Sequence, residues 1–94
     1  MKLTIEEVRQ DWKEKGYTHG KYVRLESGEY VLGSSFTDHA TLAGSNKAVT
    51  AAFFVLTEDN RVKIEGYSMT LRLGWDDKDI EFFTKTFGAS LYEE

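Results

Sequence analysis

The chain has 94 residues, 40% of them hydrophobic and 30% charged, with a formal net charge of −4 and neither cysteine nor proline. That length supports one core, so residues 1–94 are expected to form a single domain. The acidic balance and scattered basic residues exclude a general nucleic-acid binder, which needs a basic face, and the missing cysteines exclude disulfides, zinc–thiolate sites and thiol catalysis.

No apolar run approaches the roughly 18–20 residues of a membrane helix, so no membrane association is expected. The first twelve residues, MKLTIEEVRQDW, turn polar and acidic at once, unlike a signal peptide. A cytoplasmic setting is therefore expected.

Thr4 with Glu7 three residues later spells a capping box, and Leu3 with Val8 a hydrophobic staple. Ile5, Val8 and Trp12 follow at i, i+3 and i+7, which predicts a first helix with one apolar stripe. Gly16 ends it, with Lys13 and Lys15 near the negative end of its dipole.

The stretch KYVRLESGEYVLG predicts a hairpin. A two-residue turn at Ser27–Gly28 would pair Leu25 with Tyr30 and Val23 with Leu32 on one face, leaving Arg24 and Val31 on the other.

The segment Gly33–Lys47 is the least regular and most polar of the chain. Thr37 can cap a short helix from Asp38 to Ala43 that Gly44 terminates. Ser34 or Ser35 with Asp38 and His39 has the residue types of a minimal hydrolase, although adjacent Asp and His side chains usually point apart. Ser45, Asn46 and Lys47 after Gly44 could present amides and an ammonium to an anion, without the spacing of a phosphate-binding loop. With His19 and Lys21, these residues make a candidate site for a small anionic ligand or nucleotide. No spacing of His and acidic residues supports a metal, and no cofactor is implied.

The next strand, AVTAAFFVLTE, is apolar on both faces: Val49, Ala51, Phe53 and Val55 on one, Ala52, Phe54 and Leu56 on the other. After the turn EDNR, the stretch VKIEGYSMTLRLGW changes parity beside Gly66, which predicts a β-bulge. Asp76 then caps a second long helix, with Asp77 and Asp79 in its first turn and Ile80, Phe83 and Phe87 as its stripe. Gly88 ends that helix, and the tail ASLYEE is expected to add a short strand or to fray.

The predicted fold is α+β in the order α-β-β-(loop)-β-β-α, with an antiparallel sheet of at least four strands and two helices packed on one face. Two short helices cover one side, so the two-faced strand predicts an apolar surface for a partner, with Ala52, Phe54 and Leu56 as interface residues. The expected function is a small non-enzymatic protein-interaction module of inhibitor, adaptor or assembly-factor type, homodimeric through its sheet or an edge strand. The alternatives are the anionic-ligand binder and the hydrolase.

Overall fold

The computed structural model describes residues 2–92. In chain order the elements are β1 (Lys2–Leu3), α1 (Ile5–Lys15), β2 (Thr18–Leu25), β3 (Tyr30–Gly33), α2 (His39–Ala43), β4 (Ala48–Leu56), β5 (Arg61–Glu65), β6 (Tyr67–Ser68), β7 (Leu73–Gly74), α3 (Asp77–Phe87) and β8 (Ser90–Leu91). Six strands form one sheet in the order β1-β3-β2-β4-β5-β8, antiparallel except where β8 joins β5 in parallel. The fold is α+β, as expected. Glu93 and Glu94 of the tail lie outside the described residues.

The two long helices start and stop where local chemistry dictates. The Glu7 amide donates to Thr4 Oγ1 and the Thr4 amide to Glu7 Oε1, each at 3.0 Å, and Gly16 takes the left-handed conformation that ends α1. Asp76 and Asp79 make the corresponding box at α3, which Gly88 closes.

Both long helices pack on one face of the sheet. Val8, Tyr22, Phe54, Leu56, Val62, Phe83 and Phe87 meet there, with Phe83 at the centre of an aromatic cluster. Its ring centroid lies 5.0 Å from Tyr22, 5.1 Å from Phe54 and 5.9 Å from Phe87. Each such pair adds about 0.5–1.5 kcal/mol beyond the area it buries.

The second face carries its own cover. Val23, Leu25, Val31 and Ala51 lie under Leu42 and Ala43 of α2, with Leu71 and Leu73 from the β6–β7 hairpin alongside. This arrangement corrects two expectations. Ala52, Phe54 and Leu56 are buried beneath α1 and α3, so they are core and offer no surface to another chain. The parity change at Gly66 is also no bulge: β5 ends at Glu65, and the chain leaves the sheet to build the separate β6–β7 hairpin. Gly66 permits the exit because it holds φ +77°, and its missing side chain leaves room for the Phe53 ring.

The β2–β3 hairpin is shifted by one residue from its predicted register. Tyr22 opposes Leu32, Val23 opposes Val31 and Arg24 opposes Tyr30. A two-residue primed turn of the Asn-Gly kind needs positive φ at both central positions, whereas Gly28 takes it, at 96°, and Ser27 does not. The loop is therefore three residues, Glu26–Gly28, closed by the Leu25 amide on the Glu29 carbonyl at 2.8 Å. One step of register turns Tyr22, Arg24 and Tyr30 toward the helices and Val23, Leu25 and Val31 away from them.

Candidate functional site

The cover on the second face is partial: α2 and the β6–β7 hairpin shelter the end around Val23 and Ala51 and leave the other end open. Directly opposed residues on neighbouring strands share a face. Gly33 opposes both Lys2 and Lys21, Lys21 opposes Phe53, and Phe53 opposes Glu65, so these residues make one row across five strands. His19, Val55 and Lys63 make the next row, and Tyr92 continues it beside Lys63.

Rings and cations alternate over this open half. The Lys21 ammonium sits 5.6 Å from the Phe53 ring centroid and the Lys63 ammonium 5.7 Å from that of Tyr92. His19 stacks on Tyr17 at 6.1 Å. Lys63 also pairs with Glu65 at 3.1 Å, whereas Lys2 and Lys21 have no carboxylate partner among the described residues. A shallow cavity of about 290 Å³ lies along Val55, Thr57, Lys63, Glu65 and Tyr92.

Exposed apolar side chains follow the two glycines at the ends of this region in sequence. Gly33 leads into a tight turn in which the Thr37 amide donates to the Ser34 carbonyl at 3.0 Å, and that turn holds Phe36 with 96% of its surface in solvent. At the other end, Gly66 leads from the Phe53 ring to Tyr67 and Met69, which are also exposed. Large apolar groups collected in this way mark interaction surfaces on small proteins.

The candidate ligand residues divide into two groups. His19, Lys21 and His39 come to the open half-face. His39 is buried at its edge, its ring edge-on to Phe53 at 5.3 Å, and its Nε2 donates to the Ala52 carbonyl at 2.8 Å. Burial holds its pKa below the ordinary imidazole value, and the Lys21 charge acts in the same direction.

Ser45, Asn46 and Lys47 lie past the far end of α2. There Lys47 faces Glu26 at 3.7 Å beside the β2–β3 turn. Five residues of extended chain separate Glu26 from Lys21, about 17 Å, so the loop does not close around one ligand.

The hydrolase grouping does not assemble. Ser34 Oγ pairs with Thr37 Oγ1 at 3.1 Å, and His39 Nε2 is spent on backbone. Asp38 caps α2 by position, without a side-chain hydrogen bond, and Ser35 stands in the turn beside Phe36. The short helix thus starts one residue later than expected, with buried Thr37 bonded back into the turn.

A buried polar cluster on the helix side went unread in the sequence. Asp79 is fully buried and accepts from Tyr22 Oη at 2.6 Å, Tyr30 Oη at 2.8 Å, Arg24 Nη1 at 3.3 Å and the Asp76 amide at 3.2 Å. Arg24 also grips Asp76 through two bonds, at 2.9 and 3.1 Å. Burial pushes the Asp76 carboxyl up, but the Arg24 guanidinium outweighs it and leaves the group below its ordinary value. Each of these groups is satisfied within the cluster, which ties β2 and β3 to the first turn of α3. Its signal was the i, i+4, i+8 series Asp79, Phe83, Phe87, which puts the acid on the buried stripe.

The largest cavity, about 550 Å³, lies across the molecule between α1 and the β4–β5 turn. Two of its polar groups are turned to the protein's own backbone, Trp12 Nε1 donating to the Thr57 carbonyl at 2.9 Å and Asn60 Nδ2 to the Gly88 carbonyl at 3.2 Å, while Glu6, Arg9, Lys13 and Glu58 line it with charges of both signs. The open half-face is the better candidate. No family model, no curated protein and no solved structure matches this chain.

Proposed function

We propose that this protein is a small interaction module that docks a protein partner on the open half of its second sheet face. The observation that carries this is the Lys21–Phe53 and His19–Val55–Lys63 rows, which α2 covers only at the His39 edge, with exposed Tyr67 and Met69 following Gly66 beside Phe53. Such a surface combines an apolar centre with cationic and aromatic groups, the composition that concentrates binding energy at interfaces. The module acts by occupying or bridging its partner, as an inhibitor, adaptor or assembly factor does, and no reaction is assigned to it.

A different protein is favoured over a second copy. Two-fold pairing of this face would set Lys21 and Lys63 of one copy toward those of the other, and like charges resist that. The outer strands β1 and β8 have two residues each among those described, which gives little backbone for edge pairing. No described helix is long and apolar enough to cross a membrane.

The test is quantitative co-purification from cells with wild type, Val55→Glu and Glu81→Lys. A partner lost with Val55→Glu and retained with Glu81→Lys, on the exposed side of α3, supports the docking face. Equal recovery with both variants overturns it.

A further inference from the structure

We infer that the partner presents an acidic extended segment, with carboxylates that meet Lys2 and Lys21 followed by apolar side chains that lie on Phe53 and Val55. This rests on the docking function proposed above and adds the chemistry of the occupant.

The chain as a whole is acidic at −4, yet Lys2, Lys21, Lys63 and His19 gather on this half-face, where Glu65 is the carboxylate of the two central rows. Lys2 and Lys21 stand two strands apart on either side of Gly33, about 10 Å between backbones. That spacing is within lysine reach of carboxylates two residues apart on one side of an extended chain. Further along the row the cations give way to Phe53, with Val55 beside it in the next row, so a segment crossing the strands meets charge first and apolar surface second, before the row ends at Glu65.

Single-stranded nucleic acid fits less well. Glu65 ends the row that begins at Lys2 and repels phosphate, and a base stacked flat on Phe53 or Tyr92 competes with the Lys21 or Lys63 ammonium at that ring. An acidic polypeptide satisfies two lysines that have no carboxylate partner among the described residues, without placing a phosphate beside Glu65.

The test is titration of the isotope-labelled full chain, followed by amide NMR, with three probes. These are the capped peptide Glu-Ser-Glu-Ser-Leu-Ser-Val, its Gln-for-Glu counterpart, and a thymidine oligonucleotide. The acidic peptide is expected to move the Lys21, Phe53 and Val55 amides. Its affinity should fall by about tenfold in the Lys2→Glu/Lys21→Glu variant, and comparably on raising salt from ~50 to ~500 mM.

Equal binding of the Gln peptide overturns the acidic preference while leaving the docking face intact. Stronger perturbation by the oligonucleotide overturns it in favour of a nucleic-acid surface. If no probe moves these amides, the acidic-segment inference fails, and co-purification with Val55→Glu still decides the docking function by itself.

Discussion

The Tyr22 hydroxyl donates to the Asp79 carboxylate across 2.6 Å, joining the central part of the sheet to the first turn of α3 inside the core. Tyr22→Phe keeps the ring against Phe83 and removes only the donor. It should cost about 1–3 kcal/mol, because Asp79 stays buried with one partner fewer. Denaturant midpoints measure this, and an unchanged midpoint would remove the cluster from the account of stability.

The same pair sets the alkaline limit. Burial and then the bond to Asp79 hold the Tyr22 phenol above its ordinary range, and Tyr30 is pushed up for the same reasons. The folded state keeps protons that the unfolded chain releases near pH 10. Stability is therefore full below about pH 10 and declines as pH rises beyond it. Phenolate absorbance should appear for Tyr22 only together with loss of tertiary structure.

His39 sets a separate acid dependence. Its pKa is lowered by burial, so below about pH 6.5 the unfolded chain takes up a proton that the folded chain resists. The stability linked to His39 is present above that pH and is lost as pH falls through the folded value. His39→Gln should flatten the dependence that sets in below about pH 6.5, since the amide can still donate to Ala52 and does not titrate. The carboxyl of Asp76 is held low, so its contribution is lost only at pH below its ordinary value near 4.

How far these features were legible depends on the distance over which each is decided. The caps of α1 and α3 follow from residues three apart, Thr4 with Glu7 and Asp76 with Asp79, so short-range chemistry specifies them. The α+β class follows from the alternating periods of helices and strands.

The hairpin register was not legible, because it turns on whether Ser27 adopts positive φ, and only Gly28 does. Parity changes at Gly66 in the sequence, but whether the chain bulges or departs depends on the Phe53 ring beneath it. Apolar residues on both sides of β4 predicted a surface left for a partner, whereas the chain's own α2 and β6–β7 hairpin cover part of that second face. Which side remained partly open depended on where five residues of α2 came to rest. His19 and Lys21 joined the half-face because strands align neighbours, whereas Ser45–Lys47 stayed apart because α2 intervenes.

The exit at Gly66 predicts a severe local effect. A Cβ there would lie 2.7 Å from Phe53 Cδ1 at φ +77°, so Gly66→Ala combines a clash with backbone strain. It should cost about 1–3 kcal/mol. Gly28→Ala, also at positive φ but with nothing within 4 Å, serves as the strain-only control and should cost less. Thermal unfolding of the two variants compares them.

Phe36 separates binding from folding. Almost wholly exposed on a hydrogen-bonded turn, it contributes little to the core, so Phe36→Ser should change stability by no more than about 0.5 kcal/mol. If the docking surface reaches the turn, Phe36→Ser should weaken partner binding by a few-fold, the scale of a rim side chain. Unchanged affinity would remove the turn from the interface.

Site-specific photocrosslinking in living cells reads the docking face most directly, with a photoreactive residue in place of Val55 or, as the control, Glu81. A single heavier species from position 55, absent from position 81 and containing one copy of this chain, is the predicted result. Adducts of the same kind from both positions, or a species made only of two copies of this chain, would contradict it.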